Sequence, residues 1–183
     1  MDAKGVSAHW EAMKAISELL LAAATLPLAA AFAFSACASE PAPVDAPNEI
    51  DPVYTNYLDE PQTPGTWEYV DEPGESLGLY GVGNPIHPFV IRCDKRARRI
   101  GVARRTDKPG PLALIIQTES TTRQFIANTV EGYGMVAADL DPADSLLDAM
   151  AITKGRFVVG LEGEEALFIP AWAEVTRVIE DCR

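Results

Sequence analysis

From Thr66 onward, short apolar segments alternate with turn sequences, and this spacing constrains the fold more than any other feature of the chain. The connecting sequences, such as DKPG, EGYG and EGEE, contain the residues that turns favour. Strands this short and closely spaced are typical of antiparallel sheets. We therefore predict a mainly β (α+β) domain, a small antiparallel β-sandwich or barrel with one short helix and a C-terminal helix. The predicted strands are 66–70, 76–81, 87–93, 99–104, 111–118, 122–127, 134–140, 156–161 and 165–170.

Two segments fit a helix better than a strand. Asp141 is the expected N-cap of the first, with Pro142 in its first turn and Asp144 near its positive end. This helix runs through SLLDAMA and ends before Gly155. The second is expected from about Ala171 to the end of the chain, because apolar residues recur there with helical spacing. These residues are Val175, Val178, Ile179 and Cys182.

Two cysteines, Cys93 and Cys182, lie at positions expected to face the core. Phe89, Ile91 and Cys93 alternate with Val90 and Arg92, so Cys93 is expected on the apolar side of its strand. In an exported domain, two core-facing cysteines are expected to form a disulfide. In a reducing cytoplasm the same pair would remain buried free thiols, so this prediction depends on the compartment.

The first 36 residues have the pattern of a signal peptide. Residues 19–36 contain no charged side chain, and Lys14 stands shortly before them. The short MKAISE sequence makes Met13 a better start for such a peptide than Met1. A membrane-spanning helix is the alternative, because the apolar stretch approaches the length of about 20 residues that a bilayer requires. Against that alternative, the stretch is rich in alanine and is broken by Pro27.

The sequence Phe34-Ser35-Ala36-Cys37 resembles the bacterial lipobox, in which an apolar residue and two small ones precede an obligatory cysteine. The resemblance implies cleavage before Cys37 and attachment of lipid to that residue. Cleavage by the ordinary signal peptidase, after Ala36 or Ala38, is the alternative and would give a soluble secreted or periplasmic protein.

The segment after Cys37 is suited to a tether. Residues 38–65 contain six prolines and six acidic residues but no lysine or arginine. Few apolar residues and like charges disfavour packing. We therefore predict a lipidated cysteine and a disordered tether over 37–65, and a β-rich globular domain over 66–183. The formal net charge of −12 argues against nucleic-acid binding, which requires an excess of basic residues.

No catalytic motif stands out in the domain. HExxH, CxxC and GxSxG are absent from the sequence, and His87 is the one histidine after the predicted signal peptide. We therefore assign no catalytic residue, metal site or cofactor, and predict that the protein is not an enzyme. A pair of carboxylates could serve a glycosidase, but no spacing singles one out. Four aromatic residues, Trp67, Tyr80, Tyr133 and Trp172, are interpreted as core and not as the lining of a ligand cleft.

One segment is strongly basic. Eight of the fifteen basic residues lie between Arg92 and Lys108, on two predicted strands and their connection. The functional interpretation is a contact for anionic material, such as lipid headgroups, lipopolysaccharide phosphates or an acidic protein. The alternative is a solvated hairpin whose charges protect a sheet edge from aggregation. The arginines predicted for the contact are Arg96, Arg98, Arg99, Arg104 and Arg105.

The lipobox-like FSAC, the acidic segment after it, and a small domain with IRC and a terminal EDCR are similar to those of uncharacterised single-domain lipoproteins of alphaproteobacteria. The resemblance is strongest in LLDAMAITKGRFVV and LFIPAWAEVTRVIEDCR, and it implies no activity. This chain is also similar to the lysozyme-inhibitor lipoproteins, but only in its expected architecture, an anchored β-barrel with a disulfide. We predict a lipid-anchored binding or interaction module that faces the periplasm from the bacterial cell envelope. An enzyme acting on envelope polymers, or an inhibitor of an envelope enzyme, is the alternative.

Overall fold

The computed structural model describes residues 54–83 and 87–183, and these residues form nine strands and two helices. Each strand lies where the sequence predicts one, so the mainly β prediction is confirmed. The strands are β1 (Thr66–Glu72), β2 (Glu75–Gly81), β3 (Phe89–Asp94), β4 (Arg99–Arg105), β5 (Leu112–Gln117), β6 (Thr122–Val130), β7 (Met135–Leu140), β8 (Arg156–Leu161) and β9 (Leu167–Pro170). The helices are α1 (Ser145–Ile152) and α2 (Ala173–Asp181).

The strands form one antiparallel sheet in the order β1-β2-β3-β4-β7-β6-β5-β8-β9. The long strand β6 joins its two halves, because residues 122–127 pair with β5 and residues 128–130 pair with β7. The two ends of the sheet approach each other. The Trp67 indole nitrogen of β1 donates to the Pro170 carbonyl of β9 at 2.8 Å. The sheet therefore curves around one core.

Alternation along the strands determines which side chains enter this core. In β3, Phe89, Ile91 and Cys93 are fully buried, whereas the residues between them are partly exposed. Aromatic rings then connect the halves of the sheet. The ring centroids of Trp67 and Phe89 are 6.1 Å apart, and those of Phe89 and Phe157 are 6.0 Å apart. The prediction of a core position is confirmed for Trp67 and Tyr80. It is wrong for Trp172, which lies just before α2 and is 44% exposed, and Tyr133 on the β6–β7 turn is only partly buried.

Helix α1 begins one turn later than the sequence predicts. Its N-cap is Asp144, whose carboxylate accepts a hydrogen bond from the Leu146 amide at 2.9 Å. Asp141, the predicted N-cap, instead accepts from the Ala143 amide at 2.8 Å and closes a turn before the helix. Both aspartates can satisfy a free amide, and the turn leaves only Asp144 in position to cap helical amides.

Helix α2 packs on the core face of β1, β2 and β3. It begins at Ala173 and not at the predicted Ala171, because Trp172 is still in extended conformation. The expected apolar stripe is confirmed, since Val175, Val178 and Ile179 are buried. Gly78 allows the close approach: a Cβ there would lie 3.3 Å from the Trp67 ring and 3.4 Å from Val178.

A disulfide fastens α2 to the sheet. Cys93 and Cys182 are bonded, as predicted, with their Cα atoms 5.5 Å apart and a sequence separation of 89. Both residues are almost completely buried. The bond therefore connects the last residues of the chain to the middle of the sheet.

Residues 54–65, which the sequence assigns to the disordered tether, pack against the domain. The Tyr54 amide donates to Gln117 Oε1 at 3.0 Å, and Gln117 Nε2 donates to the Tyr54 carbonyl at 2.8 Å. The Thr63 amide donates to the Phe168 carbonyl at 3.0 Å, which extends β9 by one contact. Tyr57 is buried. The folded part therefore begins before residue 66. The prediction of a tether was based on the average composition of residues 38–65, which does not show the few aromatic and hydrogen-bonding residues at its end.

The predicted signal peptide, Cys37 and the tether up to residue 53 lie outside the described residues. Within the described part, no helix has the length and apolar character that crossing a membrane requires.

Candidate functional site

The five arginines predicted to form one anionic contact fall into two groups in the structure. Arg96 and Arg98 lie on the turn between β3 and β4, and Arg99 is the first residue of β4. Arg104 and Arg105 lie at the opposite end of β4, roughly 20 Å from Arg99 at a rise of about 3.3 Å per residue. The five therefore do not share one surface. Arg96, Arg98 and Arg99 are called the basic turn below.

The backbone of the basic turn is held by Asp94 at the end of β3. Its Oδ1 accepts from the amide of Arg96 at 3.0 Å and from the amide of Ala97 at 2.8 Å. Arg98 adopts a φ of 51°, in the left-handed region that side chains with a Cβ disfavour. Because these hydrogen bonds to Asp94 hold the backbone of the turn, the positions from which its arginine side chains extend are fixed.

The three side chains of the basic turn are exposed, and within the described part of the chain none of them forms an ion pair. The neighbouring basic residues are neutralised. Arg92 Nε lies 2.5 Å from Glu75 Oε2, and Lys95 pairs with Asp71. In a chain with a net charge of −12, the basic turn is therefore a local positive site.

A shallow groove of about 510 Å³ adjoins this turn and includes Arg98 in its wall. Its acidic side chains already have partners. Asp148 accepts from Arg183 Nη2 at 2.6 Å, and Asp141 accepts from a backbone amide at 2.8 Å. Arg183 is further fixed by a hydrogen bond from its Nε to the Pro142 carbonyl at 2.9 Å. Arg98 thus faces solvent beside carboxylates that are engaged elsewhere.

Arg104, unlike the basic turn, is buried. Its side chain lies on the core face of β4, in register with Ile100 and Val102, and is 7% exposed. Burial lowers the pKa of Arg104, and the negative charge of Glu164 opposes that effect. A flat anionic surface cannot reach this guanidinium, so we exclude Arg104 from the surface contact. The alternation from Ile100 onward was the sequence signal that could have placed it inside.

A second groove, of about 620 Å³, opens above Arg104. Residues 61–64 form one wall, and residues 164–167, from the β8–β9 connection and the first position of β9, form the other. It is called the Arg104 groove below. Sequence reasoning missed this groove, because two segments that are about 100 residues apart in the chain line it together.

In residues 54–83 and 87–183, no three His, Cys, Asp or Glu side chains are arranged to hold a metal ion. His87 is partly buried, and its Nδ1 forms no hydrogen bond with a described residue. Comparisons with protein-family models, curated proteins and solved structures found no match. The basic turn and the Arg104 groove are the two candidate binding features of the described residues.

Proposed function

We propose that this chain is a non-enzymatic binding module of the bacterial cell envelope, and that its basic turn contacts the phosphate groups of envelope lipids. The observation that supports this proposal is the presence of three exposed arginines without a carboxylate partner in the described structure, on a turn held by Asp94. Guanidinium groups suit phosphates because their planar N–H donors match two phosphate oxygens at once.

The predicted lipid anchor is consistent with this role. A flexible tether between Cys37 and residue 53 would span on the order of 20 Å, which would keep the domain close to the bilayer. Such confinement raises the effective concentration of the domain at the lipid surface and makes weak contacts sufficient. An acidic domain is repelled by anionic lipids over most of its surface. The basic turn would therefore determine which side of the domain faces the membrane.

The expected strength of the contact can be estimated from charge alone. A basic residue near an anionic membrane contributes about 1 kcal/mol at physiological ionic strength. Three arginines would thus contribute about 3 kcal/mol, or roughly a hundredfold in the partition coefficient. The contribution should fall as salt is raised, since exposed charges are screened over about 10 Å at 0.1 M.

Cosedimentation with lipid vesicles tests the proposal. Residues 38–183 are suitable, because they contain every residue that the structure describes and lack the predicted lipidation site. Vesicles of phosphatidylcholine with phosphatidylglycerol would be compared with vesicles containing lipopolysaccharide. The triple variant R96Q/R98Q/R99Q should bind roughly a hundredfold less well than the unmodified chain to the vesicle type that supplies the phosphate.

The matched control is R105Q/K154Q/R177Q, which removes three exposed positive charges elsewhere on the domain. It should bind vesicles nearly as well as the unmodified chain. Equal losses in both variants would show that only net charge matters and would contradict a specific contact. The unmodified chain could fail to bind vesicles and yet crosslink to an acidic protein, with the crosslink absent in the basic-turn variant. That result would contradict lipid binding and would identify the basic turn as a protein-binding site.

A further inference from the structure

Arg104 has two hydrogen-bond donors that the described structure leaves unused. Nη1 donates to the carbonyls of Pro88 at 3.3 Å and Arg105 at 3.1 Å, and Nη2 donates to the carbonyl of Glu165 at 3.0 Å. Nε has no partner among the described residues and is shielded from solvent by the surrounding protein. Since a guanidinium carries five N–H groups, one Nη2 hydrogen also remains. A hydrogen bond from a charged guanidinium to a carboxylate is stronger than one between neutral groups.

The charge of Arg104 has no ion-pair partner among the described residues, although Glu164 compensates part of it from a longer distance. Glu164 is engaged elsewhere, because its Oε1 accepts from Thr106 Oγ1 at 2.7 Å and lies 3.6 Å from Lys108 Nζ. The hydrogen bond from Thr106 lowers the pKa of Glu164 and keeps it ionised in that position. A cation that is removed from water without an anionic partner is destabilising, and a bound anion would relieve that cost.

The groove above Arg104 has firm walls with an apolar lining. Tyr80, which is fully buried, donates from its hydroxyl to the Thr63 carbonyl at 2.6 Å and so fixes the 61–64 wall. The apolar part of the lining comes from Pro61, Pro64, Ala166 and Leu167. A volume of about 620 Å³ lies within the range of small-molecule sites.

We propose that the Arg104 groove binds an organic carboxylate, with the carboxylate on the remaining Nη2–H of Arg104 and an apolar stem against Pro61, Pro64 and Leu167. A carboxylate fits better than a phosphate because Glu164 and Glu165 also line the groove, and they would repel a doubly charged group more strongly. The site is separate from the basic turn, and lipid binding can fail without affecting it.

Nuclear magnetic resonance of the Arg104 Nε–Hε group in residues 38–183 provides the direct test. The probes are isovalerate, which represents a small organic acid, and N-acetyl-leucine, which represents the C-terminus of a peptide. Isovaleramide has the same stem as isovalerate without the charge. Isovalerate or N-acetyl-leucine should shift the Arg104 signal in a saturable way, and the tighter of the two identifies the source of the carboxylate. Isovaleramide should leave the signal in place.

Two variants separate the role of Arg104 from general charge. R104K keeps the positive charge but lacks the planar guanidinium whose Nη2 reaches the groove, so it should bind isovalerate at least about tenfold more weakly by calorimetry. R105Q removes an exposed charge at the next residue of the chain, outside the groove lining, and should bind normally. E165Q removes an exposed carboxylate whose side chain has no described hydrogen bond, and should bind severalfold more tightly.

E165Q keeps the test decisive even if R104K does not fold. The proposal is overturned if neither carboxylate shifts the Arg104 signal up to its solubility limit, or if isovaleramide shifts it equally. It is also overturned if R104K binds isovalerate as well as the unmodified chain, or if E165Q does not tighten binding.

Discussion

The Cys93–Cys182 disulfide should account for a large part of the stability of the domain. The bond closes a loop with a sequence separation of 89 residues. In the chain-entropy description, a loop of that length lowers the entropy of the unfolded chain by an amount worth about 4–5 kcal/mol at 25 °C. Domains of this size have total stabilities of about 5–15 kcal/mol, so the reduced protein should be only marginally folded.

Urea unfolding of residues 38–183 in oxidised and reduced forms measures this contribution. Cys93 and Cys182 are the only cysteines in that segment, so the two forms differ by one bond. Because the bond is buried, the reduced form should be prepared by unfolding with reductant and refolding in its presence. With a slope of about 2 kcal/mol per M, the midpoint should fall by roughly 2 M urea.

Free energies of unfolding should be compared as well as midpoints, because the disulfide also changes the slope by keeping the unfolded chain compact. A difference below about 1 kcal/mol would refute the loop-entropy reasoning. It would mean that residual structure already holds α2 near β3 in the unfolded chain.

Three further predictions follow from single residues. Gly160→Ala should lower the free energy of unfolding in urea by about 1 kcal/mol, because its Cβ would lie 2.9 Å from the Tyr54 hydroxyl. Adding Tyr54→Phe should restore most of that loss. If it restores none, the contact with the Tyr54 hydroxyl is not the cause. Arg98→Gly should raise the free energy of unfolding by about 0.5–1 kcal/mol, because glycine adopts the left-handed φ of 51° without strain. The same change should weaken vesicle binding about fivefold. A loss of both stability and binding would contradict this prediction. Burial and the hydrogen bond to Asp181 raise the pKa of Tyr69 to about 12, above the value of about 10 in unfolded chains. The folded state therefore holds this proton more tightly, and stability should fall between about pH 10 and pH 12; thermal melts of Tyr69→Phe should show a shallower fall, and an equal fall would disprove the assignment.

The strands could be predicted from the sequence because their signals are local. Alternation places Phe89, Ile91 and Cys93 on one side of β3 whatever the rest of the chain does. The same property made the disulfide predictable, since Cys93 and Cys182 each lie on an apolar side of their own element.

Errors arose where two local solutions compete. Asp141 and Asp144 both have the chemistry of an N-cap, and only the tertiary position of α1, with Asp144 also paired to Arg123, selects the second. Composition likewise suggested a tether through residue 65. Tyr54 and Thr63 nevertheless find hydrogen-bond partners on β5 and β9 that are distant in the sequence.

The candidate sites show the same division. The sequence identified a basic segment, but a count of arginines contains no information about which end of β4 each one occupies. Burial separates Arg104 from Arg105 although they are adjacent in the chain.

By itself, the sequence determined the mainly β class, the positions of the nine strands, the paired cysteines and the presence of a basic hairpin. Periodicity and residue chemistry express these features over a few consecutive residues. The tertiary structure alone decided which arginines lack a carboxylate partner among the described residues, and it created the Arg104 groove from residues 61–64 and 164–167. Those properties depend on contacts between segments far apart in the chain, and no local pattern records such contacts.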